Sequence, residues 1–73
     1  MRKEIADHIS RVMLDVAAKL NDSIRLVQEN CEEGEFRTYR GSVGRIMGLM
    51  LTEIMNPLYG EHPDLRPPGL NKP

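Results

Sequence analysis

Residues 3–31 read KEIADHISRVMLDVAAKLNDSIRLVQENC and contain neither proline nor glycine. Apolar side chains recur along this segment at steps of three or four residues, averaging about 3.7, which is the period of a nearly straight helix. The members of this apolar stripe are Ile5, Ile9, Val12, Val16, Leu20, Ile24, Val27 and Cys31. Opposite charges also occur at helical spacing, as in Asp15 and Lys19. The pattern therefore predicts one long amphipathic helix over about residues 3–31.

A turn is expected at residues 30–35, where Gly34 can take the left-handed conformation that ends a helix. The helical period then resumes, and Pro57 is expected to stop it because proline breaks a helix interior. The apolar positions of this second segment are Tyr39, Val43, Ile46, Met47, Met50, Ile54 and Met55. The sequence predicts a shorter second helix over about residues 37–56. So short a connection favours an antiparallel helical hairpin.

The two predicted helices differ in length, at about 43 Å and about 30 Å. Helix two would end beside Met13, and Ile5, Ile9 and Val12 would then have no covering partner in the same chain. Burying such side chains is worth about 1.5–3 kcal/mol each. A chain of 73 residues with one cysteine has no internal disulfide to offset a small core. We therefore expect an all-α hairpin that pairs with a second copy to form a four-helix bundle.

Three glycines lie inside the second helical segment, where each costs about 1 kcal/mol relative to alanine. They are Gly41, Gly44 and Gly48. Gly44 and Gly48 share a face with Leu51 nearby, and a strip without side chains lets another helix approach closely. The alternative is that these glycines only weaken a mobile helix start. The oligomer interface is predicted to comprise Ile5, Ile9, Val12, Val16, Gly44, Gly48 and Leu51.

All five prolines fall in residues 57–73, which are predicted to form an extended arm rather than an independent domain, the hairpin occupying residues 1–56. The possible anchors of this arm are Leu58, Tyr59, Leu65 and Leu70. We expect Leu58–Leu65 to be ordered against helix one and the last few residues to be frayed. Two alternatives stay open, in which the arm lies across a second copy, or residues 57–70 are a ligand for another protein.

The charge balance gives a net charge of −1, which argues against a strongly basic nucleic-acid-binding protein. One local imbalance exists, since Arg37, Arg40 and Arg45 occur between residues 36 and 52 without an acidic residue. These arginines are candidate contacts for nucleic-acid phosphates or for an acidic protein partner. The alternative is that they balance the carboxylates near the turn, which are Glu29, Glu32, Glu33 and Glu35.

No residue set for catalysis, metal binding or a cofactor can be assembled from the sequence. His8 and Glu4 share a helical face, but two ligands do not make a zinc site, and His62 is interpreted as a tail residue. Glu32 and Glu33 disfavour a thiolate at Cys31, which is interpreted as the last member of the apolar stripe. The methionines are interpreted as core residues, although an adaptable binding surface is the alternative. They are Met13, Met47, Met50 and Met55.

The longest apolar run, residues 46–51, is too short to span a bilayer, which takes about 20 residues. The charged start at residues 1–4 lacks the pattern of a signal peptide, and the single thiol favours a reducing, cytoplasmic compartment. The sequence thus predicts a homodimeric cytoplasmic interaction or adaptor protein without enzyme activity. The alternatives are a small nucleic-acid-binding regulator that uses the arginines, and an accessory subunit of a larger assembly.

Overall fold

The computed structural model describes residues 1–69, and every regular element in that range is helical. Helix α1 spans Lys3–Asn30 and α2 spans Glu33–Leu49. A π-helical segment, Met50–Met55, leads into α3, Asn56–Glu61, and a single 3₁₀ turn covers Pro63–Leu65. Ser23 bonds Tyr39 while Ser10 bonds Tyr59, so the chain returns along α1 in the opposite direction. The predicted helical hairpin is confirmed, as is the extent of its long helix.

The turn between the helices consists of two extended residues, Cys31 and Glu32. Gly34 lies inside α2, and the one positive φ among residues 1–69 belongs to Gly69, so the expected left-handed helix end at Gly34 is wrong. Helix two begins at Glu33, earlier than predicted. Glu33 and Glu35 occupy its first turn, where negative charge stabilises the positive end of the helix dipole.

Pro57 does not end the second helix. Met55 and Asn56 keep helical backbone angles, and the Asn56 amide bonds the carbonyl of Leu51, five residues back. A proline in a regular α-helix clashes with the carbonyl four residues before it, whereas a π turn widens the helix at that point. Residues 33–61 therefore form one continuous rod, called the second rod below. The prediction of an extended arm is wrong for residues 57–61.

The second rod, residues 33–61, has about as many residues as the 28 of α1, so both are about 42 Å long and each runs the 44 Å length of the molecule. The expectation that helix two ends beside Met13 is consequently wrong. The rod's last turns form the core, a buried cluster of Ala6, Met55, Leu58 and Tyr59, against which Ile9, Met13, Leu51 and Leu65 pack. The ordering of Leu58–Leu65 against helix one is confirmed. Leu70 and the residues after it lie outside the described range.

The side of α1 that faces the second rod carries a stripe with a heptad pattern, in which successive residues are alternately four and three apart. The stripe consists of Ala6, Ser10, Met13, Ala17, Leu20, Ile24 and Val27, all buried or half-buried. Its small members leave room for a large partner, and the Ser10 and Tyr59 hydroxyls meet there at 2.5 Å. The interpretation of the methionines as core residues is confirmed for Met55, which is buried, and for Met13, which packs against the cluster, but it stays a prediction for the half-buried Met47 and Met50.

Candidate functional site

Three aliphatic side chains of the predicted stripe stay exposed on α1. Ile5, Val12 and Val16 are 36–44% exposed, and their spacing of seven and four residues places them along one side of the helix. Ile9, between them, is half-buried and packs against the core cluster. The expectation that Ile5, Ile9 and Val12 lack a covering partner within the chain is therefore wrong for Ile9, whereas Ile5 and Val12 do stay exposed. These residues are exposed because α1 is rotated about its axis so that its small residues face the second rod. The length of the second rod is not the cause.

The second rod carries a matching exposed stripe. Ile46, Leu49 and Ile54 are 39–59% exposed and follow one another at steps of three and five. A step of five residues keeps the same side of a helix where the helix is π-helical, as it is from Met50 onward. The stripe therefore continues through the π segment toward the open end of the hairpin, where the first turns of α1 lie.

One hydrogen bond shows that the two stripes lie on the same side of the hairpin. Ser23, seven residues after Val16, bonds the hydroxyl of Tyr39, which is seven residues before Ile46. Seven residues are about two helical turns, so Val16 lies on the same side of α1 as Ser23, and Ile46 lies on the same side of α2 as Tyr39. Because Ser23 and Tyr39 touch, the two stripes lie on the same side of the hairpin. We call the combined surface the aliphatic face and define it by Ile5, Val12, Val16, Ile46, Leu49 and Ile54.

The aliphatic face gathers six of the nine large apolar side chains that are exposed among residues 1–69. Large exposed apolar patches are rare on monomeric soluble proteins, so this face is the candidate interaction surface of the described chain. Of its members, the sequence predicted the three on α1 as interface residues and missed Ile46, Leu49 and Ile54. The signal for these three was present, because the second segment is apolar around much of its circumference and therefore needs more than one neighbour.

The other half of the predicted interface lies on the opposite side of the hairpin. Gly44 and Gly48 are each two residues from Ile46, which is about half a turn around the helix. Gly48 and Leu51 border an apolar groove of about 290 Å³ that Leu14 closes from α1. Apart from adjacent residues and the nearby backbone of the same helix, no atom of the described chain lies within 4 Å of where a Cβ of Gly44 or Gly48 would stand. These glycines are therefore not a close crossing point between the helices of one chain.

The three candidate arginines each have a local contact on α2. Arg37 donates to the Glu33 carboxylate at 3.0 Å, and the Arg40 guanidinium stacks 5.3 Å from the centre of the Phe36 ring. The pairing of Arg37 agrees with the interpretation that the arginines balance acidic residues at the turn. Nucleic-acid binding through these arginines stays a prediction. Its test is retention on heparin at low salt that an R37E/R40E variant loses.

The residues weighed for chemistry stay separate in the structure. Cys31 is exposed at the turn rather than closing the apolar stripe, so that interpretation is wrong. His8 is exposed on α1, and no group of three or more potential metal ligands forms within residues 1–69. Within the same range, no helix has both the length and the apolar character needed to cross a bilayer.

Charged contacts join the start of α1 to the last residue of α3 and to the 3₁₀ turn that follows it. The Lys3 ammonium donates to Asp64, and this hydrogen bond lowers the pKa of Asp64 below its ordinary 3.8 and raises the pKa of Lys3 above 10.5. The Met1 ammonium lies 3.0 Å from Glu61 and lowers the pKa of that carboxyl. The His62 ring lies 2.9 Å from the Met1 carbonyl oxygen. The side chains of Lys3, Glu61 and Asp64 are about half exposed, so each of these ion pairs contributes little stability by itself, and together they hold the amino terminus beside the end of the second rod.

Comparison with protein-family models, with curated proteins and with solved structures gave no significant match. The function is therefore inferred from the surface of the chain itself.

Proposed function

We propose that the protein is a homo-oligomeric interaction module in which two hairpins join through the aliphatic face. The product is a four-helix bundle that serves as a small adaptor, and the compartment we propose for it is the cytoplasm. The observation that carries the proposal is the concentration of six exposed aliphatic side chains on one face built by both helices.

The energetics favour burial of this face. Each of its side chains is about half exposed, so covering it gains about 1 kcal/mol, and a symmetric pair of hairpins doubles the number covered. A core made mainly of four buried residues is small for a chain of this length. A second copy supplies the additional core that the single hairpin lacks.

Light scattering on a size-exclusion column tests the proposal with two matched variants. Leu49→Asp places a charge in the aliphatic face and is expected to convert the dimer to a monomer that keeps its helical circular dichroism. Leu26→Asp is the control, because Leu26 is 62% exposed and belongs to neither stripe of the aliphatic face. It is expected to leave the mass unchanged.

Two outcomes contradict the proposal. The first is a wild-type chain that elutes with the mass of a monomer at tens of micromolar, because such a chain does not self-associate. A dimer that survives Leu49→Asp as well as it survives Leu26→Asp joins through another surface. An accessory subunit of a larger assembly, the alternative role, is indicated when the wild-type chain is monomeric alone and its aliphatic face is protected only in a complex.

A further inference from the structure

The outer edge of the aliphatic face carries two charges at equal distances from Leu49. Arg45 precedes Leu49 by four residues of α2, and Glu53 follows it by four residues of the π-helical segment. Because a π turn is only slightly wider than an α turn, a residue four positions ahead still lies near the same side, so all three residues lie near one line along the second rod. The hydrogen bond that Arg45 makes is to the Ser42 hydroxyl at 3.3 Å. Glu53 has no ion pair within the described chain.

These two charges are too far apart to pair with each other in one chain. Eight residues of helix separate them by about 12 Å along the axis. Elsewhere the chain places opposite charges at reach, as in Arg11 with Asp7 and Lys19 with Asp15. A partner surface that complements this edge places an acidic group opposite Arg45 and a basic group opposite Glu53.

A second copy of this chain presents that order when it runs antiparallel. We propose that two hairpins pack across a two-fold axis at Leu49, so that Arg45 of each copy pairs with Glu53 of the other. This inference rests on the proposed function and specifies its geometry. A two-fold interface is self-complementary, because a contact between two positions is always made twice.

The length of the second rod supports this register. The rod spans residues 33–61, so Leu49 lies close to its middle and antiparallel pairing about Leu49 overlaps nearly the whole rod. The same axis brings Ile46 and Leu49 of both copies to the centre of the contact. A parallel arrangement in register sets Arg45 against Arg45 and Glu53 against Glu53, which is repulsive.

Charge reversal tests the pairing. Arg45→Glu and Glu53→Arg are each expected to raise the dimer dissociation constant about tenfold at low salt, since both symmetry-related pairs are lost at once. The R45E/E53R double variant restores opposite charges and is expected to return within about twofold of the wild type. Arg25→Glu, the control, makes the same charge change away from the aliphatic face and is expected to have little effect.

A cross-link tests the position of the axis independently. In a Cys31→Ser background, Leu49→Cys sets two thiols near the axis and is expected to form a covalent dimer on mild oxidation. Leu26→Cys in the same background is expected to stay uncrosslinked. Equal cross-linking of the two variants, or none at Leu49→Cys in a chain that sediments as a dimer, overturns the inference.

The outcomes separate this inference from the proposed function. Charge variants without effect, in a protein that Leu49→Asp still dissociates, show that the aliphatic face is the interface but that the register is wrong. A double variant that binds more weakly than either single variant also shows that the register is wrong. A wild-type chain that is monomeric contradicts both the register and the proposed function.

Discussion

The contact between Ser10 and Tyr59 joins α1 to the part of the second rod that follows Pro57, and its removal has a predictable cost. Both side chains are at most 4% exposed, and their hydroxyl oxygens are 2.5 Å apart. Tyr59→Phe deletes one hydroxyl and leaves the other buried without this partner. Such a group costs about 1–3 kcal/mol, and we expect about 1.5 kcal/mol because a helical serine can turn toward the carbonyl four residues back. For a domain of this size the loss lowers Tm by about 6–12 °C.

Tyr39→Phe provides a matched control. Its hydroxyl also bonds a serine of α1, but Ser23 donates to the Leu20 carbonyl at 2.7 Å and is only partly buried. The serine therefore keeps a partner and contact with water when the tyrosine hydroxyl is removed. We expect Tyr39→Phe to cost about 0.5 kcal/mol, the low end for a hydrogen bond.

The assay is thermal and urea denaturation followed by circular dichroism, at one protein concentration because association shifts Tm. Ser10→Ala is expected to cost about as much as Tyr59→Phe. The double variant S10A/Y59F is expected to be more stable than the sum of the two losses predicts, since no polar group is left unpaired. Equal losses for Tyr59→Phe and Tyr39→Phe, with additive behaviour in the cycle, refute the buried contact between Ser10 and Tyr59.

Three further outcomes are expected. Asp64→Asn lowers the free energy of unfolding at neutral pH, and the difference from wild type disappears as the pH falls below 3.8. The depressed pKa of Asp64 stabilises the fold only while the carboxylate is ionised. A difference that stays constant in acid denaturation curves contradicts this. Gly44→Ala raises stability by about 0.5–1 kcal/mol, since its Cβ enters open space, and a loss in denaturation experiments reveals an unseen neighbour. Truncation after Pro57 removes Leu58 and Tyr59 from the core and is expected to abolish the cooperative thermal transition; a truncated chain that melts like the wild type contradicts the fold.

The sequence predicted α1 well because an uninterrupted helical period without proline or glycine has one simple interpretation. It predicted the inward side correctly in the second half of α1, where Leu20, Ile24 and Val27 of the predicted stripe are half-buried. It missed that side in the first half, where Ala6, Ser10 and Ala17 face inward. Hydropathy ranks residues by their preference for burial and carries no information on the size of the partner. Here the partner includes Tyr59, which needs both space and a hydroxyl to bond.

The end of the second helix could not be predicted from the breaker rule alone. Proline normally stops a helix, and the rule holds for the regular α form. A π turn relieves the clash by moving the hydrogen bond of Asn56 to Leu51, and no single residue type signals such a turn. The same turn sets the phase of Ile54 relative to Leu49. The π turn therefore explains why Ile54 was missed as a member of the aliphatic face. Ile46 and Leu49 lie before that turn and were missed although the second segment was seen to be apolar around much of its circumference.

The association of two hairpins is tested most directly by sedimentation equilibrium of the unmodified chain over micromolar concentrations. We expect a reversible equilibrium that approaches the mass of two 8.3-kDa chains at the highest concentrations. A folded species that keeps the mass of one chain throughout, with Val16 and Leu49 open to water, contradicts the proposed association.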